Sequence, residues 1–183
     1  VWMGCIASLD IRARKILSAF FKILERASVD FAILSREVCT GDPALRAGDK
    51  ATFLISALQN IEMLRSFNVK RMVTICPHCL NTFKNDYPLL SFKIEIMHHT
   101  TFIEMLIKEG RLKITQKNSG MAVFHDPCYL GRGNNIYEAP RNIISNIQES
   151  LRELPRSRSN SFCCGAGGAQ IFKESEKGEK EVY

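Results

Sequence analysis

The sequence predicts an α/β protein built around a mainly parallel sheet. Short apolar runs alternate with longer amphipathic stretches, which is typical of strands that lead into helices. The chain has 183 residues, of which 45% are hydrophobic, so it can fill a real core and is expected to fold. A repeated arrangement of cysteines also divides it into two similar units.

Five short apolar runs are predicted as strands. They lie at residues 1–4 (VWMG), 30–34 (DFAIL), 71–75 (RMVTI), 93–97 (KIEIM) and 120–125 (GMAVFH). Each run is too short for a typical helix, and most are followed by a longer stretch with helical periodicity. This alternation favours parallel strands joined by crossover helices.

Four stretches have the periodicity of amphipathic helices. They lie at residues 10–27, 44–67, 101–109 and 137–151. In the first stretch Ile16, Phe20 and Leu24 share one face, as core-facing residues of a helix do. The third stretch is predicted to end at Gly110, because glycine commonly follows the last turn of a helix.

Hydropathy and charge argue against several classes of protein. No run approaches the roughly 18 to 20 unbroken apolar residues of a membrane span, and VWMGCIASLD lacks the layout of a secretory signal. The formal charge of +6 is modest, and its lysines and arginines are scattered without a nucleic-acid-binding motif. We therefore expect a soluble cytoplasmic protein that has no membrane span of its own and does not bind nucleic acid.

The seven cysteines are predicted to be reduced. An odd number of cysteines, a chain much longer than disulfide-stapled miniproteins, and no export signal all argue against a disulfide framework. Cofactor ligation then becomes the leading use of these thiols.

The cysteines recur in register. Cys39 lies 34 positions after Cys5 and is followed by Thr40 and Gly41. In the second half, the string Cys163-Cys164-Gly165 begins 35 positions after Cys128, so two units are offset by about 124 residues.

The second unit is predicted to be incomplete. Cys76 and Cys79, in the string CPHC, begin 37 positions after Cys39, and their counterpart would fall near position 200. We therefore expect a first module at residues 1–118 and a partial second module at 119–183, within a fragment of a longer protein.

The first four cysteines are expected to converge. Cys5, Cys39 and Cys76 each follow a predicted strand, and the carboxyl ends of parallel strands meet at one edge of a sheet. Thiolates are the usual ligands of iron-sulfur clusters. Together with Cys79 they predict one cluster site, and Cys128, Cys163 and Cys164 are the start of a second.

Two alternatives stay open at this stage. A Cys-x-x-Cys pair also serves structural zinc and redox disulfides, and four thiolates suit tetrahedral zinc in an interaction module. Structural zinc sites usually draw on two close pairs of ligands, whereas the first unit has one. The isolated chain is also compatible with no bound metal, with free thiols or a disulfide between Cys76 and Cys79.

Longer strings around these cysteines resemble a known family. They are CTGDP at 39–43, CPHC at 76–79, HHT at 98–100, HDPCYLGR at 125–132 and FCCGAGG at 162–168. The chain resembles, from residue 2 to about 172, the cysteine-rich CCG domain family. That family includes the heterodisulfide reductase catalytic subunit and the iron-sulfur subunits of systems that oxidise glycerol-3-phosphate, glycolate and lactate.

The resemblance implies an iron-sulfur oxidoreductase subunit with tandem, Rossmann-like CCG modules. Each complete module of the heterodisulfide reductase catalytic subunit holds a noncubane 4Fe-4S cluster that reduces a disulfide in one-electron steps. By position, Cys5, Cys39, Cys76 and Cys79 correspond to the first ligand set. The three later cysteines, Cys128, Cys163 and Cys164, correspond to the second set.

The resemblance also implies partners. They are dehydrogenase, flavoprotein or ferredoxin-like subunits, with electrons leaving toward a disulfide or a quinone-linked acceptor, and any membrane association would run through a partner. This sequence departs from the family at Thr40, where the first Cys-Cys-Gly has its second cysteine. Four thiolates suffice for a cubane 4Fe-4S cluster, so the cluster is either cubane or noncubane. No catalytic residue is assigned.

Three histidines and a glycine run lie close to the predicted sites. His98 and His99 end the fourth predicted strand, where a structural histidine bonded to backbone is favoured over a proton donor near the cluster. His78, inside CPHC, is expected to tune the cluster from its surroundings. The glycines of FCCGAGG are expected to let backbone amides approach sulfur.

Overall fold

The computed structural model describes residues 1–170. Within that range the α-helices are α1 (Gly4–Leu9), α2 (Ile11–Arg26), α3 (Asp42–Arg46), α4 (Lys50–Ser66), α5 (Pro77–Asn81), α6 (His99–Lys108) and α7 (Glu138–Ile147). The strands are β1 (Arg71–Thr74), β2 (Glu95–His98), β3 (Asn118–Phe124) and β4 (Gln148–Glu153). A π-helical turn at Thr82–Asp86 and 3-10 turns at Tyr87–Leu90 and Arg158–Asn160 complete the elements.

The strands form two small parallel sheets. β1 pairs with β2, with Thr74 opposite His98, and β3 pairs with β4. Each sheet has two strands, and helices connect the strands of each pair. The predicted α/β class with parallel pairing is confirmed.

The first two predicted strands are wrong. At residues 1–4 only Trp2 pairs, in a single parallel bridge with Thr74 in which its N–H donates to Val73 O at 2.9 Å. The next amides, of Met3 and Gly4, donate instead to the Glu37 carboxylate at 3.1 to 3.2 Å, so the ladder stops there.

Residues 30–34 form no strand. Phe31 stacks on Phe21 of α2 with ring centroids 5.2 Å apart, and the terminal ammonium of Val1 donates to the carbonyl of Ala32. The apolar content of this run is therefore used for packing against a helix.

Two predicted helices are shorter in the structure. The 44–67 stretch is divided by Gly48, whose φ of +89° ends α3, and Asp49 begins α4 by accepting a hydrogen bond from Thr52 N at 3.0 Å. The 137–151 stretch ends at Ile147, and the following residues form β4, a strand that periodicity missed because QESLRE is polar. Pairing with β3 decides this segment, and its Leu151 lies opposite Ala122.

The core has two parts. One, around Trp2, Phe83 and Tyr87, fills the space between α4, β1 and the segment after Cys76. The other joins α2 to α6 through Phe20 and Leu106. Among residues 1–170, no helix has the length and apolar character needed to cross a membrane.

Candidate functional site

The first four cysteines form two close pairs. Cys5 lies in the first turn of α1 and pairs with Cys39, which lies in the loop before α3. Cys76 is the N-cap of α5 and pairs with Cys79, which lies one turn later and is 5% exposed. Of these cysteines only Cys76 follows a strand, β1, whereas Cys5 lies on α1 and Cys39 lies in a loop.

Each pair contains one acidic thiol. Hydrogen bonding to Cys39 lowers the pKa of Cys5 to about 6, against burial and the charge of Cys76, which raise it. In the same way the thiol of Cys79 lowers the pKa of Cys76 to about 6. The hydrogen bonds to Cys5 and Cys76, together with burial, raise the pKa of the two donors, Cys39 and Cys79. One thiolate per pair is therefore available at neutral pH.

The two pairs face each other across Gly4. A Cβ atom on Gly4 would lie 3.3 Å from Cys79 Sγ and 3.9 Å from Cys76 Cβ, and the residue has a φ of +75°. Its neighbour Cys5 is close enough to Cys76 and Cys79 for their charges to raise one another's pKa. A glycine at this position lets the chain carrying Cys5 pass close to the other pair.

Buried polar groups hold the Cys39 loop in place. Asn60 of α4 is 0% exposed, accepts a hydrogen bond from Val38 N at 3.1 Å and donates to Cys39 O at 3.2 Å. The Tyr87 hydroxyl donates to Thr40 O at 3.2 Å. The sequence did not indicate a role for Asn60 or Tyr87, because nothing in the residues around them distinguishes them from ordinary helix residues.

The arrangement fits a cluster better than a single ion. Within residues 1–170, no three histidine, cysteine, aspartate or glutamate side chains are close enough together to share one metal ion. Two thiol pairs near Gly4 suit a multi-iron group, in which each iron is ligated separately by a thiolate. The donor set, which is all thiol, also matches iron-sulfur chemistry.

The second set of cysteines also converges. Cys128 lies in the turn after β3, and its thiol pKa is raised first by burial and then by the charges of Cys163 and Cys164. Cys163 and Cys164 are exposed, and Gly165 N donates to Cys163 Sγ at 3.4 Å. This contact confirms the expectation that a glycine of FCCGAGG brings a backbone amide to sulfur.

A buried ion pair positions this second set. Asp126, 1% exposed, accepts two hydrogen bonds from Arg141 of α7 at 2.7 and 2.8 Å and a third from Arg158 N at 2.6 Å. Arg141 also donates to Glu153 of β4 at 2.6 and 2.8 Å. The network thereby ties the HDPC turn to the segment that leads to Cys163.

A stacked pair of rings joins the two sets. His78, between Cys76 and Cys79, lies flat against Tyr129, which follows Cys128, with centroids 3.9 Å apart and planes within 20°. The buried Asp42 carboxylate accepts from His78 Nδ1 at 2.7 Å and from Arg46 Nε at 3.1 Å. A Cβ atom on Gly167 of the FCCGAGG string would lie 3.6 Å from the Tyr129 ring and 3.9 Å from the His78 ring.

His98 and His99 are buried at the junction of β2 and α6. Burial and the neighbouring His99 lower the pKa of His98 to about 3, and burial lowers that of His99 to about 4, so both are neutral at pH 7. His98 Nδ1 bonds to Thr100 Oγ1 at 2.7 Å, whereas His98 Nε2 and His99 Nδ1 have no hydrogen-bond partner within residues 1–170. The burial of both rings is compatible with the structural role favoured by the sequence, and their bonding to backbone stays a prediction.

Comparison with known proteins finds several relatives that are named as oxidoreductases or their subunits. The chain is 41% identical over 98% of its length to a probable iron-sulfur-binding oxidoreductase, FadF, of Bacillus subtilis (strain 168), of which it covers 26%. It is 33% identical over 96% of its length to an EtfAB:quinone oxidoreductase of Syntrophomonas wolfei, of which it covers 25%. It is also 33% identical over 90% of its length to one subunit of the dihydromethanophenazine:CoB-CoM heterodisulfide reductase of Methanosarcina barkeri, of which it covers 42%.

The chain thus spans about a quarter of the length of the first two relatives and under half of the third. Residues 1–84 and 122–182 match the family described as a cysteine-rich domain, CCG, and these two segments carry all seven cysteines. The chain belongs to the CCG cysteine-rich domain family.

Proposed function

We propose that Cys5, Cys39, Cys76 and Cys79 hold one iron-sulfur cluster and that the chain is the electron-transfer part of an oxidoreductase. The observation that carries this is the convergence of two thiol pairs from three separate segments around Gly4. A bound cluster would accept and release one electron at a time. The protein supplies four sulfur ligands, two of them already acidic, so fewer protons have to leave when the ligands bind.

We propose a cubane 4Fe-4S cluster for this first site. Four thiolates satisfy such a cluster, and Thr40 stands where a fifth would be. Thr40 is buried, and its carbonyl is held by Tyr87, so this position contributes packing instead of a ligand.

Cys128, Cys163 and Cys164 are proposed as ligands of a second cluster. Three thiolates are one fewer than the usual set of four, so this site needs a further ligand from a partner or from chain outside these 183 residues. The exposure of Cys163 and Cys164 leaves room for that ligand.

The two sets define the proposed division of the chain into a first module at 1–118 and a partial second module at 119–183. The division is supported by the strand pairing, since β1 pairs within the first part and β3 within the second. The two matched family segments fall on either side of the same boundary.

The proposed role places the chain between two redox partners. The relatives include an EtfAB:quinone oxidoreductase and a heterodisulfide reductase subunit. By analogy, electrons enter one at a time from a dehydrogenase, flavoprotein or ferredoxin-like subunit and leave toward a disulfide or a quinone-linked acceptor. Two electrons and two protons convert either acceptor to a dithiol or a quinol. All seven cysteines are free thiols, which fits a reducing, cytoplasmic setting.

Anaerobic purification and reconstitution with iron and sulfide test the proposal. We expect about four iron and four sulfide per first-site cluster, visible absorption, and an electron paramagnetic resonance signal after reduction. Cys76→Ser should remove this cluster, whereas Cys128→Ser, the matched control in the second set, should leave it in place. Stoichiometric zinc without iron in protein prepared anaerobically would instead support the zinc-binding interaction module.

A further inference from the structure

We propose that the indole N–H of Trp2 donates a hydrogen bond to the sulfur of Cys79 once that sulfur is a cluster ligand, and thereby raises the reduction potential of the first cluster. The inference rests on the proposed function and assigns a positioning residue to it. Trp2 lies outside every cysteine motif, and the sequence alone indicates no role for it.

The indole nitrogen is a buried donor without an acceptor. Trp2 is 1% exposed, and its Nε1 has no hydrogen-bond partner in the part of the chain that the structure describes. A buried N–H that bonds to nothing is costly, and such groups are rare in folded proteins. A neighbouring cysteine that becomes a thiolate ligand of a cluster would give this donor a strong acceptor.

The sulfur of Cys79 lies close to this donor and can accept from it. A Cβ atom added to Gly4 would lie 3.3 Å from Cys79 Sγ and 4.0 Å from Trp2 Nε1. The donor and the sulfur therefore share one pocket.

The backbone and the ring of Trp2 are both held in place, and this fixes the direction of its indole N–H. Its backbone N–H donates to Val73 O of β1 at 2.9 Å. Its ring meets Phe83 edge to face, with centroids 4.8 Å apart. Phe83 follows α5, the helix that carries Cys79, so ring and sulfur are held by the same packed unit.

The consequence for the cluster follows from charge. Adding an electron makes the cluster and its thiolates more negative, and an N–H donor stabilises the more negative state more strongly. Hydrogen bonds to ligand sulfur are among the factors that set the potential of iron-sulfur clusters. Trp2 therefore favours the reduced cluster.

Substitution tests this directly. In the reconstituted 183-residue chain, titrated with dithionite as the electron donor and followed by electron paramagnetic resonance, Trp2→Phe keeps an aromatic ring but removes the N–H. The ratio of reduced to oxidised cluster at a fixed potential should fall about tenfold, which equals about 59 mV for a one-electron couple. Phe92→Leu, the control, removes a ring of the same core that contacts Tyr87, leaves the Trp2–Phe83 contact in place, and should leave the potential nearly unchanged.

A second measurement needs no variant. Trp2 is the single tryptophan of the chain, so protein grown with tryptophan labelled with 15N in the indole ring reports on this one nitrogen. A 15N hyperfine coupling to the reduced cluster is expected in pulsed electron paramagnetic resonance. A cluster with a full complement of iron and sulfide but no such coupling overturns the role of Trp2.

The two proposals fail in different ways. If the wild-type chain takes up no iron and sulfide, the cluster site itself is wrong, and Trp2 has no sulfur ligand to act on. If the cluster is present and has the same potential in Trp2→Phe as in Phe92→Leu, the cluster proposal stands and the Trp2 inference is overturned.

Discussion

Single residues decide how closely the cysteines approach. Gly4 has a φ of +75° and lies against Cys79 Sγ, so it is constrained both by backbone conformation and by space. The motifs in the sequence identify the thiols themselves, because cysteines at registered intervals are rarely accidental. They contain nothing that identifies Gly4, Asn60 or Trp2, whose roles depend on contacts with residues distant in the chain.

We predict that Gly4→Ala weakens the first site. The new methyl group would sit 3.3 Å from Cys79 Sγ, tighter than ordinary contact, on a backbone that disfavours side chains. The iron content after anaerobic reconstitution should fall at least severalfold.

Gly48→Ala is the matched control for that substitution. Gly48 has a similar φ of +89° but nothing within 4 Å of an added Cβ, so it carries the backbone strain without the close contact. Equal loss of iron in both variants would contradict the proposed role of Gly4 at the thiol pairs.

Elements as a whole follow the sequence where their pattern is strong. The periodic stretch at 10–27 is the helix α2, and the runs at 71–75, 93–97 and 120–125 become β1, β2 and β3 with small shifts. Two kinds of prediction were wrong. Short apolar runs such as 30–34 were predicted as strands but pack against a helix, and the polar strand β4 was predicted as part of a helix. Side-chain pattern predicts burial, whereas strand pairing depends on a partner from elsewhere in the chain.

The junction of β2 and α6 is expected to make stability depend on pH. Burial keeps His98 and His99 neutral in the folded state, with pKa values of about 3 and about 4, whereas an unfolded histidine titrates near about 6.5. Below about pH 6.5 the unfolded chain binds protons that the folded chain does not. The free energy of unfolding should therefore fall by about 1.5 kcal/mol for each histidine between about pH 6.5 and about pH 5.

Urea unfolding of the reduced chain at these two pH values measures the effect. His98→Gln keeps a polar side chain beside Thr100 but cannot gain a proton, so its loss of stability over the same interval should be smaller by about 1.5 kcal/mol. An identical loss in wild type and variant would show that His98 does not control this pH dependence.

At the scale of the whole molecule, the two halves meet through their cysteine motifs. His78 from the first set and Tyr129 from the second stack directly, and Asp42 holds the histidine ring in place. Family membership and the repeat were recognisable from the sequence, and both are supported by the matched segments. The contact between the halves was not, because no local pattern predicts which rings stack.

We predict that Tyr129→Leu loosens the second set from the first. An aromatic stack is worth about 0.5 to 1.5 kcal/mol beyond burial, so amide hydrogen exchange in the turn at 128–134 should become about fivefold faster. Tyr129→Phe keeps the ring and serves as the control. Unchanged exchange in Tyr129→Leu would mean that the Asp126 and Arg141 network alone holds the turn.

The sequence by itself determined the α/β class, the repeated cysteine register and the family, because each depends on residue types at fixed intervals along the chain. Only the tertiary structure decided that the thiols form two pairs around Gly4, that Trp2 carries an unpaired donor beside them, and that a ring stack joins the halves. These features arise where the folded chain brings distant segments within a few ångströms of one another. The spacing of residues along the sequence does not determine their distance in the folded chain.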